Sequence, residues 1–351
     1  VYAGIVRVFV INPGSTSTKL ALADVREGRV EVLERVEKPS RPGETPLEDF
    51  ESRRPLVLAQ ARTWAPFSAI AARGGLIGPV SAGVYLVDEV LAKTSLKSPY
   101  GYHPANLGAP LALEAAKAHQ VPAYVVDPPT VSEMLPEARV SGVPGLERQS
   151  RVHALNLRYV ARKVAKELGK PLESSVLIGA HLGGGSSVAL FLHGRMADAT
   201  DALLGEGPFS ANRAGTVPLH GVLSLVQARG IEAARHLLAY RSGFLGLLGT
   251  DNLKTVEENL TDPKTRRVVE AYALQIAKNL AAFAVHARPD AFFLTGSAAR
   301  FEYVVTRVRE RIEWMAPLVV MPGEFEAEAL ASGAARVLTG LEEVRRYASG
   351  V

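Results

Sequence analysis

The sequence predicts an α/β protein of two domains, and three observations carry that expectation. Its 351 residues exceed what one hydrophobic core ordinarily organises. Short apolar runs alternate with longer amphipathic stretches, the pattern of strands layered against helices. A strand–Gly/Ser turn–strand unit also occurs twice, around Gly14 and around Gly184. An echo half a chain apart signals an internal duplication and puts a division near residue 150.

The elements follow in order. Residues 5–11 form an apolar, β-branched run, 12–19 a polar turn and 20–25 a second run, together a β-hairpin with a glycine/hydroxyl tip. Residues 39–46 read as a loop and 47–64 as a helix. Strand-like runs at 70–72 and 123–126 alternate with helical stretches at 107–119 and 152–168. The second hairpin starts at Ser175, turns through Gly183-Gly184-Gly185-Ser186-Ser187 and returns over 188–192. A long helix over 262–286, a strand into Gly296-Ser297, a helix over 298–314, a strand at 318–321 and a closing helix over 324–338 complete the second half.

Composition narrows the classes. With 47% hydrophobic and 22% charged residues the chain is an ordinary globular one. It has no cysteine, which removes disulfides, thiolate metal sites and a cysteine nucleophile, and fits a reducing compartment. A net charge of +4 without a dense basic block argues against a nucleic-acid partner. The first ten residues are too short and too interrupted by Arg7 for a signal peptide or membrane span, so a soluble, cytoplasmic chain is expected.

Three Gly/Ser turns, at Gly14, Gly184 and Gly296, follow apolar strands. Glycine lets backbone N–H groups approach an anion, and hydroxyls add donors, so such turns can cradle phosphate; tight hairpins use the same residues. Single-motif cradles are missing, with neither Gly-x4-Gly-Lys nor a helix-opening Gly-x-Gly-x-x-Gly. A nucleotide site is therefore expected to be assembled from both halves. Arg73 before Gly74-Gly75, and Arg213 in the glycine-rich segment 205–215, suit carboxylate or phosphate, although most arginines are simply solvated. Asp127 after the run 123–126 stands where catalytic carboxylates often do, or where one caps a helix. His103, His153 and His181 match no zinc spacing.

Asn12-Pro13-Gly14-Ser15-Thr16-Ser17-Thr18-Lys19, His181-Leu182-Gly183-Gly184-Gly185-Ser186-Ser187 and the segment 205–218 resemble the acetokinase family. The resemblance runs from about residue 6 to 347, and Gly205-Glu206-Gly207-Pro208-Phe209-Ser210 is most similar to its butyrate and branched-chain kinases. It implies two duplicated actin/hexokinase-like (ASKHA) domains around a nucleotide cleft. The first, residues 1–150, would be completed by 324–351; the second, 151–323, would bind nucleotide. It implies ATP/ADP as co-substrate, Mg2+, a short-chain carboxylic acid as acceptor, and a homodimer or higher homo-oligomer.

The resemblance also assigns residues. Asn12, Ser15, Ser17 and Lys19 would hold phosphate and Mg2+-bound water, with Gly183, Gly184 and Gly185 as the second cradle. Arg73 and Arg213 would bind the carboxylate and the migrating phosphoryl group, Asp127 would orient the acid, and His153 would donate to the transition-state oxygens. His103 aligns with a further active-site histidine. Glu328 would help place Mg2+ together with Asn12, and Gly296 and Ser297 would lie against adenosine. Acetate kinases carry asparagine where this chain has Gly184, a departure that favours the butyrate subgroup. Acetate, propionate and branched-chain acids remain alternative substrates, and a non-catalytic ATP-gated module is the reading from a different class.

Overall fold

The computed structural model describes residues 4–40 and 43–348. Residues 1–3, 41–42 and 349–351 lie outside it, and with them part of the expected 39–46 loop and the expected end of the first domain. The chain divides into two compact units, one running to Ser132 and resuming at Phe325, the other spanning Glu133–Glu324.

The first unit runs β1 (Val6–Pro13), β2 (Ser17–Arg26), β3 (Arg29–Pro39), α1 (Pro46–Trp64), β4 (Ala69–Arg73), β5 (Val84–Leu86), α2 (Glu89–Lys97), α3 (Gly108–His119) and β6 (Ala123–Val126). The second contains α4 (Pro136–Arg139), α5 (Ala154–Glu167), β7 (Val176–Leu182), β8 (Ser186–Leu192), β9 (Arg195–Ala199), α6 (Leu219–Arg229), α7 (Ile231–Tyr240), α8 (Gly243–Leu248), α9 (Leu253–Glu258), α10 (Pro263–Phe283), β10 (Ala291–Gly296), α11 (Glu302–Ile312) and β11 (Leu318–Pro322). The chain then rejoins the first unit as α12 (Glu326–Leu338).

Each unit is built on one mixed sheet. The first has the order β3-β2-β1-β4-β6-β5 and the second β11-β10-β7-β8-β9. In both, an antiparallel meander is extended by two parallel strands on the side of its first strand: β1 pairs with β4 and β4 with β6; β7 pairs with β10 and β10 with β11. The duplication is thus one of topology. In the first unit Phe9, Ile11, Ile70, Leu107 and Leu111 share one core, and α12 packs on the sheet through Ala329, Leu330, Ala331 and Gly333. A Cβ at Gly333 would stand 2.6 Å from the Val126 methyls, so small residues there set how near the helix lies. In the second unit Ile178, Val188, Phe292 and Leu294 pack with Val269, Tyr272 and Ile276 of α10.

Several expectations change. The first turn is narrower than 12–19, because Asn12 pairs with Lys19, Pro13 with Thr18, and the Gly14 N–H donates to the Ser17 carbonyl at 2.7 Å. β3 was not among the expected strands, although its Val30, Val32 and Val36 alternate with charged residues; none of its residues is fully buried, and it lies at the sheet edge. The helix expected over 298–314 begins as a 3-10 turn at Ser297–Arg300 and becomes α-helical only at Glu302. Gly296, at φ 86°, turns the chain sharply out of β10. Residues 133–150 lie with the second unit, where Leu135 N–H donates to the Ala197 carbonyl at 2.8 Å and Arg148 meets Asp198 at 3.0 Å. Among the described residues no helix is long and apolar enough to cross a membrane.

Candidate active site

In the first unit the parallel strands β1, β4 and β6 end at one edge of the sheet, which collects Asn12, Arg73 and Asp127 there. The start of α12 adds a carboxylate. Asn12 Nδ2 donates to Glu326 Oε2 at 2.5 Å, and Arg73 Nη1 lies 3.3 Å from Glu326 Oε1. Asn12 is buried, and among the described residues its Oδ1 has no hydrogen-bond partner. A buried acceptor left unpaired is costly unless a ligand or ion fills the place. Glu328, expected to share this site, instead meets Arg35 of β3 at 2.5 Å. Two residues apart on a helix means different faces, so Glu326 joins Asn12 and Glu328 does not.

The other first-turn residues divide. Ser15 is exposed on the turn, Lys19 is exposed on β2, and Ser17 is buried with its hydroxyl donating to Glu37 of β3. Asp127, 3% exposed, has φ 39°, a left-handed conformation that Asp tolerates better than most residues. Its N–H donates to the Gly83 carbonyl at 3.0 Å, and its Oδ1 accepts from Gly83 N–H at 2.8 Å. Behind Arg73, a Cβ at Gly75 would fall 2.0 Å from Asn106 Oδ1, and that oxygen accepts from Leu76 N–H at 2.8 Å. His103 Nδ1 accepts from Ala105 N–H at 3.1 Å, which leaves the neutral ring's proton on Nε2. Burial and then the charge of Arg73 push the His103 pKa down.

In the second unit the Gly183–Gly185 turn joins β7 to β8, closed by Gly183 N–H to the Gly185 carbonyl at 3.1 Å. A Cβ at Gly184 would meet nothing within 4 Å, whereas one at Gly185 would stand 2.5 Å from Arg213 Nη1 and 3.4 Å from His153 Cε1. Glycine at 185 thus lets the guanidinium lie against the turn. Arg213 Nη1 donates to the Ala202 carbonyl at 2.8 Å, while its Nε is buried without a partner. Burial lowers its pKa, yet a guanidinium stays charged. The charge of the Asp201 carboxylate acts on it in the opposite sense. A half-buried guanidinium beside a glycine turn has the chemistry to receive an anion.

His153 begins α5, with Nδ1 2.6 Å from Ser187 Oγ and its ring stacked on His181 at 3.9 Å. His181 is buried; the Asn156 amide donates to its Nδ1 at 2.8 Å, which puts its proton on Nε2, 3.4 Å from Glu324 Oε2. At the C-terminal end of β10, a Cβ at Gly296 would fall 2.3 Å from the Leu182 carbonyl, and Gly296 and Gly323 exchange backbone hydrogen bonds of 3.0 and 3.1 Å. Ser297 is exposed beside them. Sequence reasoning gave no role to Glu326, Ser187 or Asn156. The sole signal for Glu326 was its place in the Glu324, Glu326, Glu328 series, which does not choose among the three.

Comparisons with known proteins show the family and the fold. Residues 145–316 match the acetokinase family model. The chain is 41% identical to a probable butyrate kinase of Deinococcus radiodurans, over 96% of this chain and 93% of that one. Its fold is similar to the acetate kinase of Porphyromonas gingivalis, with TM-score 0.74 and 19% identity over 96% of this chain and 100% of that one. It is also similar to a propionate kinase of Francisella tularensis, with TM-score 0.72 and 16% identity over 94% and 99%. The chain belongs to the acetokinase family, a carboxylate-phosphorylating kinase with two actin/hexokinase-like domains.

Proposed function

We propose that this kinase transfers the γ-phosphoryl group of ATP to a short-chain fatty acid, butanoate foremost, to give butanoyl phosphate and ADP by direct in-line displacement. The observation that supports the reading is the half-buried guanidinium of Arg213, its Nε unpaired among the described residues, against the Gly183–Gly185 turn. An ionised acid must approach a polyanion, and one unit-charge repulsion at about 4 Å and an effective dielectric near 20 costs roughly 4 kcal/mol. Arg213 offsets it on the phosphoryl side, and Arg73 does so for the carboxylate. The acid, with a pKa of about 4.3 by analogy with Glu, is already ionised at pH 7, so no general base is needed. Asp127, engaged with the Gly83 backbone, orients rather than deprotonates. His153, its Nδ1 side taken by Ser187, donates from Nε2 to the equatorial oxygens. The Gly14 and Gly183–Gly185 turns hold phosphate, and Gly296 and Ser297 lie against adenosine.

Mg2+ fits the first unit: the unpartnered Asn12 Oδ1 and the Glu326 carboxylate are hard oxygen donors, and this ion takes few protein ligands beside water and phosphate. When bound it neutralises part of the phosphate charge.

Butanoate is favoured over acetate by the 41% identical relative and the 205–210 segment. Two methylenes are worth about 1.6 kcal/mol, roughly fifteenfold, which one side chain can reverse. Acetate or propionate is therefore the second reading, supported by the solved structures above. Self-association belongs to the same proposal: α6 buries none of its residues, and Leu219 and Leu223 are 82% and 71% exposed. So does a cytoplasmic location, in keeping with the absence of cysteine. The test is hydroxylamine-trapped acyl phosphate formation with MgATP across acetate, propionate, butyrate, isobutyrate and isovalerate. A kcat/KM maximum at four or five carbons is expected. A maximum at acetate would overturn the substrate, and no turnover with any acid would overturn the chemistry. Light scattering tests the oligomer, expected at twice the chain mass or more.

A further inference from the structure

Arg53 on α1 is the largest side chain buried completely. Its Nε and Nη2 donate to Asp49 Oδ1 and Oδ2 at 2.7 and 3.2 Å, one helical turn away and equally buried. The remaining arm reaches the first Gly/Ser turn: Nη1 donates to the Gly14 carbonyl at 2.8 Å, the Ser17 carbonyl at 3.4 Å and Thr18 Oγ1 at 3.2 Å. A trans peptide holds C=O and the following N–H antiparallel. Drawing the Gly14 carbonyl inward to Arg53 therefore turns the Ser15 N–H outward. Among the described residues the Ser15 and Thr16 amides donate to no protein atom.

The same carboxylate holds a second segment. Tyr102 donates to Asp49 Oδ2 at 2.5 Å, and burial and then this bond push the Tyr102 pKa far up, so it remains a donor. Tyr102 precedes His103 and lies four residues before Asn106, whose side chain braces the turn after Arg73. A buried ion pair adds little stability over an apolar pair of similar volume. Its three-way geometry calls for another reason.

We propose that Asp49, Arg53 and Tyr102 form a positioning device for phosphoryl transfer, which presents the Ser15 amide to the transferring group and fixes the segment bearing His103 and Asn106 behind Arg73. The proposal rests on the carboxylate-kinase reading. None of the three residues touches substrate; they act through the turn and through the 98–106 segment.

The test uses the full chain, with Arg53→Lys, which keeps the charge but loses the fork, and Tyr102→Phe, which removes one hydroxyl. Each is assayed for acyl phosphate formation with the best acid of the panel and for cooperative melting. A turn displaced by about 1 Å loses about a hundredfold in turnover. That loss is expected in kcat for Arg53→Lys, with about a tenfold loss for Tyr102→Phe, while KM for ATP and for acid stays near wild type. Wild-type kcat in the folded variants would overturn the proposal, as would a loss that only tracks the unfolded fraction or falls on KM alone. If Arg53→Lys does not fold, Tyr102→Phe decides. An inactive wild type would instead refute the carboxylate-kinase reading beneath it.

Discussion

Adding one methyl group at Gly185 should disable this enzyme without unfolding it. An alanine Cβ there would stand 2.5 Å from Arg213 Nη1 and 3.0 Å from its Cζ, where ordinary contact begins at 3.4 Å. The backbone at Gly185 does not have the positive φ that excludes alanine. The neighbour that must yield is the end of a flexible side chain, so the fold survives and the guanidinium retreats by about 1 Å. A displacement of that size costs about a hundredfold in turnover, or ~2.7 kcal/mol of transition-state stabilisation. The paired control is Gly142→Ala, outside the phosphate turns, whose Cβ meets nothing within 4 Å and should leave rate and stability nearly unchanged. Both are read by hydroxylamine-trapped acyl phosphate at saturating MgATP, with melting temperature measured alongside. Wild-type turnover in Gly185→Ala would refute the role given to Arg213 beside this turn.

Glu326→Gln should lower kcat at least about a hundredfold and raise the Mg2+ needed for half-maximal rate; Glu328→Gln should change neither, since its exposed pair with Arg35 is worth about 1 kcal/mol or less. Equal losses in the two would refute the choice of Glu326. Arg213→Ala should cost about a thousandfold or more in kcat while the chain still folds and melts cooperatively, since the side chain is only half-buried; near-normal turnover sinks that assignment. His103 has a folded pKa below its ordinary 6.5. The unfolded chain therefore binds more protons in the window just below that value, and the folded state loses stability as pH falls through it. His103→Gln should remove that slope in denaturant titrations between pH 5 and 7, on the order of the ordinary His range; an unchanged slope would rule the residue out as its source.

The Gly/Ser turns, the strands leading into them and the long helices were legible because each rests on near neighbours. Strands such as β1 and β7 carry β-branched apolar runs, and glycines such as Gly296 occur where the backbone needs a positive φ. β3 carries an alternation of its own, Val30, Val32 and Val36 between charged residues, but at the sheet edge this face is only half-buried and its apolar signal is weak. The helix α6 was missed because it buries no residue, so no polar face opposes an apolar one, and α8 and α9 because each is only six residues long.

The amino-acid sequence by itself determined the α/β class, the internal echo, the glycine turns and the charged residues available for phosphoryl chemistry, since those depend on local sterics, periodicity and side-chain type. Only the tertiary structure decided which of them meet. Asn12 finds Glu326 across 314 positions, Arg213 lies where the missing Cβ of Gly185 would be, and Arg53 reaches the Gly14 turn from another element. Such pairings are set by how helices seat on sheets, to within an ångström, and spacing along one chain does not contain that distance.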